Sequence, residues 1–271
     1  MFSGPVVYAP SLYNQYGGLP GASDLVLAEA VDQGRQLARQ WSAPALLVPN
    51  LAPAEVAQWT RIRPPDTCLR LFNAYRVLIG TSGLADFVGR IPSEQARAEF
   101  RHQHHCGSAL GLRLRTVSGS ALPAVLSDFH TLSQHQAQRE GRPALYSRAM
   151  LACLPRIPGA VALLAEKPDG ALASAFLGFR HGTTLYLWAE AIAPGPGSDG
   201  TFAWLLAESI GHGADTGARV LDAGRGHDHF KQRIGFTPVP LATAIYLTGP
   251  NPRLLSSLRE LGTALETLAR A

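Results

Sequence analysis

The sequence predicts a mixed α/β fold built on a mixed sheet. Three consecutive segments in the middle of the chain have strand character, at 161–166, 171–179 and 184–192, and turn sequences separate them. Segments with helical spacing of apolar residues flank this meander on both sides. The order of elements in the second half is β-α-α-β-β-β-α-β-α-β, which is not the regular βαβ alternation of a Rossmann fold or a TIM barrel.

In the first half, the spacing of apolar residues predicts a helix over 24–41 and strands over 45–48 and 69–79. Ser82 and Ser93 are each predicted to act as the N-cap of a helix. On the second of these helices Arg97 and Arg101 lie four residues apart and share a face. That face is either solvated or a surface that contacts phosphate.

The second half has a clearer rhythm. Around the meander we expect strands over 110–117, 219–222 and 239–247 and helices over 122–140, 147–154, 201–216 and 227–234. The two meander turns, 167–170 and 181–182, have hairpin chemistry. A last helix begins at Asn251-Pro252, a cap followed by a first helical position. Its leucines repeat at spacings of 4-3-4-3, so it packs on the chain's own core or, as the alternative, forms a homodimer contact.

The composition indicates a globular protein with a sizeable core. The chain has 271 residues, of which 46% are hydrophobic and 16% charged, which excludes a disordered or fibrous class. No apolar run approaches the roughly 20 residues that a membrane span needs, and the first residues do not resemble a signal peptide. Three scattered cysteines, Cys68, Cys106 and Cys153, are typical of reduced thiols. The sequence therefore predicts a cytoplasmic protein without membrane association.

The basic residues are nearly all arginine. Only Lys167 and Lys231 among the 24 basic residues are lysines, and the formal net charge is +4. Arginine suits bidentate contacts with phosphate or carboxylate, although an arginine surplus is equally typical of a GC-rich genome. The charge is compatible with an anionic partner such as a nucleotide or tRNA.

Two motifs suggest other functions without the context that those functions need. The segment 220–226 looks like the nucleotide loop of methyltransferases that use S-adenosylmethionine, but 227–271 is too short for the βα units that follow such a loop. Histidines and a cysteine cluster at 102–106 without a CxxC pair or an HExxH motif. No metal site is therefore predicted, and the absence of GxSxG and GxxxxGK[ST] disfavours serine hydrolases and P-loop proteins.

A dense block of motifs near the C-terminus carries a family resemblance. It consists of D-A-G-R-G at 222–226, H-D-H-F-K at 227–231 and I-G-F-T-P at 234–238. This block resembles the segment D-x-G-x-G … [YF]-K … x-G-F-x-P that closes the last unit of FemAB-like proteins, a branch of the GNAT acyltransferase superfamily. Upstream, Y-A-P at 8–10, Y-G-G at 16–18 and the helix pair at 84–101 are similar to further FemAB-like segments. The resemblance covers about residues 5 to 250.

The resemblance implies a GNAT fold in a tandem arrangement. We expect a shortened, degenerate N-terminal unit over 1–109, a GNAT acyltransferase unit over 110–250 and a C-terminal amphipathic helix over 251–271. It also implies an enzyme that moves an acyl group from an activated donor to an amine and so forms an amide, as in natural-product or cell-wall biosynthesis. The acceptor would be a small-molecule or peptide amine, and no tightly bound cofactor is expected.

The donor follows from a departure from the family pattern. Some FemAB-like proteins use aminoacyl-tRNA, whereas ordinary GNAT enzymes use acyl-CoA through a [QR]-x-x-G-x-[GA] loop. Here residues 194–200 read P-G-P-G-S-D-G and lack that signature. The sequence therefore favours aminoacyl-tRNA as donor and tRNA as partner, with acyl-CoA as the alternative and a non-catalytic binding module as a further one.

Amide formation needs a proton acceptor for the amine and a proton donor for the leaving group. Glu190 lies near the end of the third meander strand, where the resemblance places a GNAT base. Asp222 ends the next strand and either shares the proton transfer, binds the acceptor amine or caps the glycine turn. His229 and His227 are candidate proton donors, because Phe230 has no hydroxyl group.

The donor phosphates need backbone N–H groups at a helix start or a cation. Gly195, Gly197 and Ser198 precede a helix and are candidates for this role, with a plain loop as the equal alternative. Lys231 and Arg225 are candidates for anion binding, and the alternative for Lys231 is a solvated surface lysine.

Overall fold

The computed structural model describes residues 5–8, 15–194 and 198–268. Its strands and helices, in chain order, are β1 (Val7–Tyr8), α1 (Asp24–Gln40), β2 (Ala45–Leu51), α2 (Pro53–Ile62), β3 (Thr67–Leu78), α3 (Leu84–Gly89), α4 (Glu94–Ala109), β4 (Arg113–Ser118), α5 (Pro123–Arg139), α6 (Arg148–Leu151), β5 (Ala160–Glu166), β6 (Leu172–His181), β7 (Thr184–Ile192), α7 (Ser198–Asp215), β8 (Val220–Asp222), α8 (Asp228–Arg233), β9 (Thr237–Leu247) and α9 (Pro252–Leu268). The predicted mixed α/β fold class is confirmed.

The chain forms two compact units. The first comprises Met1–Ala74 and Pro238–Ala271, and the second comprises Tyr75–Thr237. The predicted boundaries after residues 109 and 250 differ from this division. The physical reason is that β9 pairs with β2, while α4 packs along α7, so each of these elements joins the unit that holds its partner.

The first unit is built around β2, which is buried along its whole length. It pairs in parallel with β1 and antiparallel with β9. Leu46 and Val48 pack with α1 and α2, whereas Ala45 and Leu47 pack on the opposite face with Leu258 of α9. Because Leu258 is fully buried there, the leucine stripe of α9 packs on the chain's own core, the first of the two predicted alternatives.

In the second unit the strand order is β3-β8-β7-β6-β5-β4, and β3 takes part here with its last residues, 75–78. All neighbours are antiparallel except β7 and β8, which are parallel. The helices α3, α4 and α7 cover one face of this sheet, and α5 and α6 cover the other. The predicted meander β5-β6-β7 is confirmed.

An irregularity in β7 decides which way its end faces. Gly178 of β6 pairs with Leu187 and Leu177 pairs with Ala189, so Trp188 is an extra residue, a β-bulge. A Cβ atom on Gly178 would lie 2.1 Å from the carbonyl oxygen of Tyr186, which explains glycine at this position. Leu185 and Leu187 contact the α7 side of the sheet, whereas Ala189 and Ala191 contact the α5 side. The bulge therefore leaves Glu190, between the latter two, on the α7 side.

The predicted element positions hold to within a few residues, with three exceptions. The helix α2 and the strand β1 were not predicted, and α6 is a single turn. Ser93 caps α4 as predicted, since its side chain accepts from the Ala96 N–H. Ser82 does not cap α3, because the cap position is Gly83, whose φ is 55°, and the Ser82 N–H donates to Asp86. None of the described helices combines the length and the apolar character that crossing a membrane would require.

Candidate active site

The sheet opens at the carboxyl end of β8. The short β8 strand pairs with β7 only from Thr184 to Tyr186, and Tyr186 is opposite Asp222. Beyond that point β7 continues to Ile192. Glu190 lies four residues past Tyr186, which is roughly 13 Å along an extended strand. Glu190 and Asp222, both predicted as catalytic, are therefore not brought side by side along the sheet.

Asp222 is fully buried and holds the turn that follows it. Its Oδ2 atom lies 2.6 Å from Nε of Arg76 on β3, and its Oδ1 atom accepts the N–H of Gly224 at 3.0 Å. Asp222 thus caps the glycine turn, which was one of the predicted alternatives. Its burial favours this role over the predicted share in proton transfer.

Lys231 holds the same turn by hydrogen bonds to its backbone. The Lys231 ammonium is buried and donates to the carbonyl oxygens of Ala223, Gly224 and Arg225 at 2.7, 3.3 and 3.1 Å. It also lies 5.7 Å from the centre of the Tyr75 ring. Burial lowers the pKa of Lys231 to about 8, against the pull of nearby carboxylates, so the group is charged at neutral pH. Because an ammonium has three protons, this arrangement disfavours the anion binding predicted for Lys231.

At the end of the turn, His227 meets Glu190. His227 has a φ of 51°, the left-handed region, and begins α8 as its N-cap residue. This backbone brings its Nε2 atom to 2.9 Å from Oε1 of Glu190, and the ring lies 4.5 Å from that of Phe202. The hydrogen bond to Glu190 raises the pKa of His227. The side chains of His227 and Glu190 are 42% and 31% exposed, so solutes reach both groups.

A phenol and a guanidinium lie close to this pair. Tyr146 packs edge-on against Trp188 at 5.2 Å, and its pKa is raised to about 12 by burial and by the charge of Glu190. Arg225 is half-buried, and burial lowers the pKa of its guanidinium. The site therefore combines a carboxylate, an imidazole, a neutral phenol and a cation.

The other predicted residues lie elsewhere or cannot be placed. His229 is exposed on α8, and within the described chain its side chain has no hydrogen-bond partner. Gly195 and Gly197 lie outside the described residues, and Ser198 is described only as the first residue of α7. In the described ranges no three His, Cys, Asp or Glu side chains converge as a metal site would require.

Sequence reasoning missed Tyr146, Phe202 and Arg76. None of the three belongs to a motif, and each reaches the site through strand pairing or packing between distant segments. The local signal for the turn itself is the pair Gly224 and Gly226, whose φ values are 63° and 80°.

Comparison with known proteins places this geometry in a family. The model of the acetyltransferase (GNAT) domain matches residues 94–232, about half of the chain. No curated protein gives a significant match.

Solved structures with low sequence identity share the fold. L-PGS from Bacillus licheniformis has a TM-score of 0.62 at 11% identity, over 87% of this chain and 78% of that one. The C-terminal domain of a putative lysylphosphatidylglycerol synthetase from Agrobacterium fabrum has a TM-score of 0.62 at 14% identity, over 92% and 84%. FemX has a TM-score of 0.57 at 10% identity, over 82% and 77%.

The matched region contains the meander, α7, the capped turn and the Glu190–His227 pair, and FemX confirms the FemAB-like resemblance at the level of fold. The chain therefore belongs to the GNAT acetyltransferase family and is an acyltransferase.

Proposed function

We propose that this acyltransferase moves an aminoacyl group from aminoacyl-tRNA to the amine of a small molecule or peptide and so forms an amide. The observation that carries the proposal is the Glu190–His227 pair at the open end of β7. A carboxylate hydrogen-bonded to an imidazole of raised pKa supplies one proton acceptor and one proton donor, which is what aminolysis of an ester needs.

The reaction balances within this pair. The neutral acceptor amine attacks the ester carbonyl of the aminoacyl-tRNA, and a C–N bond forms. Glu190 accepts the proton that the amine loses. The C–O bond to the ribose then breaks, and His227 gives its proton to the ribose oxygen. Transfer of a proton from Glu190 to His227 across their 2.9 Å hydrogen bond restores the starting state.

Other residues of the site would position the catalytic pair or bind the donor. Lys231 and Asp222 hold the turn that carries His227, and so they fix the distance to Glu190. Arg225, which belongs to this turn, is the cation that would contact a donor phosphate in our proposal. The loop with Gly195, Gly197 and Ser198 stays a candidate for phosphate binding. Catalysis by His229 stays a prediction, and the geometry favours His227 over it.

The choice of aminoacyl-tRNA rests on similarity. FemAB-like proteins include enzymes with that donor, and FemX shares this fold. The name of lysylphosphatidylglycerol synthetase, a second protein with this fold, specifies a lysyl group in its product. The missing acyl-CoA signature in 194–200 supports the same donor. The family description as an acetyltransferase favours acyl-CoA, which is the second candidate.

The two donors are separated by one assay. The full-length chain is incubated with tRNA charged with radiolabelled amino acids, or with labelled acetyl-CoA, in the presence of a mixture of peptide and small-molecule amines. We expect label to pass from tRNA into a product that resists mild alkali, because an amide survives conditions that hydrolyse the ester. Pretreatment with RNase should abolish this transfer.

Two outcomes would reject the proposed donor. Label transfer from acetyl-CoA alone, insensitive to RNase, would identify an acyl-CoA enzyme. Binding of tRNA or CoA without turnover of either donor would identify a non-catalytic module. Glu190→Gln is the matched inactive control, because it keeps the shape of the side chain and removes the proton acceptor.

A further inference from the structure

A groove of about 510 Å³ lies at the end of the second unit's sheet opposite Glu190. Its lining comes from the start of β5, the end of β6, the start of β7 and the last turn of α7. Leu185, which lines it, precedes Glu190 by five residues, roughly 16 Å along the strand. The groove is therefore separate from the proposed site of acyl transfer, and its volume is in the range of small-ligand sites.

The polar lining of the groove is cationic. Arg156 and Arg180 both line it, together with His212, and the lining residues of the described chain include no acidic side chain. Burial lowers the pKa of His212, and Asp215 opposes this shift, so the positive charge comes from the two arginines. Such a combination of cations suits an anion, because arginine forms strong, charge-assisted hydrogen bonds with carboxylates and phosphates.

Arg180 carries an unsatisfied donor in this place. Its Nη2 atom donates to the carbonyl oxygen of Thr216 at 3.3 Å and so caps the end of α7. Its Nη1 atom is buried and has no hydrogen-bond partner within the part of the chain that the structure describes. A buried donor without a partner is costly, so this guanidinium has hydrogen-bonding capacity that the described part of the chain does not use.

The rest of the lining combines hydroxyl-bearing residues with apolar ones. Val161 and Leu185 are both buried core residues that border the groove, and Ile157, also in the lining, is 42% exposed. A ligand with a charged head alone would leave this apolar surface in water. A ligand that also carries a short apolar chain would cover it.

We propose that this groove binds a small amphiphilic anion, a carboxylate or phosphate head that carries a short apolar chain. The head contacts Arg180 and Arg156, and the chain lies on the exposed side chains of Ile157 and Pro158. Nothing in this inference depends on the acyl donor or on the Glu190–His227 pair.

The test is calorimetric titration of the full-length chain with hexanoate, hexyl phosphate, hexan-1-ol and inorganic phosphate. We expect saturable binding of hexanoate or hexyl phosphate, and the stronger of these two identifies the head group. Both hexan-1-ol and inorganic phosphate should bind at least about tenfold more weakly than that ligand. Equal binding of hexan-1-ol would overturn the anionic part of the proposal, and equal binding of inorganic phosphate would overturn the apolar part.

Variants locate the binding. Arg180→Gln removes the charge, and we expect about tenfold weaker binding of the stronger ligand. Arg156 is exposed, so we expect Arg156→Gln to leave the chain folded. This variant should also bind the stronger ligand more weakly than the wild type does. Arg113→Gln, an exposed arginine at the start of β4 that does not line the groove, is the matched control and should bind as the wild type does. Absence of saturable binding by the wild type, or binding unchanged in both groove variants, would overturn the proposal.

Discussion

The Nε2 atom of His227 lies 2.9 Å from Oε1 of Glu190, although 37 positions separate the two residues in the sequence. Two local irregularities produce this contact. The bulge at Trp188 turns Glu190 to the α7 side of the sheet, and the left-handed backbone of His227 turns its ring back towards β7. The contact therefore depends on the second unit's tertiary structure and offers direct tests of the proposed chemistry.

Glu190→Gln should abolish most of the turnover. The amide keeps the shape and accepts a hydrogen bond, but it does not take a proton from the amine. We expect the turnover rate to fall by about 100- to 10,000-fold, with a much smaller change in KM, measured as initial rates of amide formation. The control is Glu208→Gln, since Glu208 forms a similar 2.9 Å pair with His104 and should be replaceable without loss of rate. Equal rate losses in both variants would argue for a general effect of charge removal.

The charge of Glu190 should be measurable in the titration of His227. Because Glu190 raises the pKa of His227, the pair stabilises the folded chain fully below pH 6.5, and this contribution is lost as the pH rises through the folded pKa. Both side chains are partly exposed, so the effect is at most about 1 kcal/mol. We expect Glu190→Gln to lower the pKa of His227 in an NMR titration of the imidazole signals. A pKa that stays in place would mean that the pair does not form in solution.

Lys231→Met should destabilise the chain strongly. The variant leaves three carbonyl oxygens without their donor, and we expect the free energy of unfolding to fall by about 2–4 kcal/mol in denaturant titrations at pH 7. The folded pKa of Lys231, about 8, is below the unfolded value of 10.5. The wild type should therefore gain stability relative to Lys231→Met between about pH 8 and 10.5, because the unfolded chain binds more protons there.

The other lysine provides the control for that change. Lys167 is exposed in a hairpin turn, and Lys167→Met should leave both the stability and its pH dependence unchanged. A loss with Lys231→Met no larger than that of the control would show that the three carbonyl contacts carry no stability.

Gly178→Ala should disrupt the bulge. A Cβ atom at 2.1 Å from the Tyr186 carbonyl oxygen forces the two strands apart, at a cost of about 3 kcal/mol or more. Because the displaced strand carries Glu190, activity should fall together with the midpoint of chemical denaturation. Gly211→Ala is the control, since nothing lies within 4 Å of a Cβ atom added at this position of α7. Alanine should raise the free energy of unfolding by about 0.5–1 kcal/mol there, because it favours a helix more than glycine does.

Asp222→Asn separates structure from catalysis. We expect the free energy of unfolding to fall by about 2 kcal/mol, because Arg76 loses its ionic partner while remaining partly exposed. Because the Oδ1 atom of asparagine still accepts the Gly224 N–H and so holds the turn, the folded variant should retain its turnover rate and its pH profile. A turnover rate that is lower by about two orders of magnitude, with a shifted pH profile, would instead assign Asp222 to proton transfer. Asp228→Asn, an exposed residue on α8, is the matched control.

Local chemistry in the sequence was sufficient to predict the meander and most helices. The hairpin turns contain Gly170 and Gly182, whose φ values are 83° and 53°, and Ser93 caps its helix as predicted. The helix α2 escaped prediction because it is short and buries only Trp59 among its residues. Its local start signals are Pro53 at the first position and Glu55 at the third, whose side chain accepts the Ala52 N–H.

The site was only partly predictable, because its geometry comes from long-range contacts. Glu190 and the block 222–231 were identified by position and motif. Nothing local indicates that Lys231 turns inward beneath Tyr75, or that Arg76 neutralises a buried Asp222. A lysine in a polar segment resembles a solvent-exposed group until tertiary partners are known, and this explains why the sequence favoured anion binding for Lys231.

The bulge at Trp188 also has a consequence for evolution. If regular alternation ran from Leu187 through Trp188 without a bulge, the carboxylate of Glu190 would project into the layer of apolar side chains beneath α5, where an ionised acid is poorly tolerated. A relative that lacks the extra residue would keep its acid on the same face, because its equivalent of Ala189 would directly follow its equivalent of Leu187. An alignment of this region is meaningful only when it allows a one-residue gap at the kink.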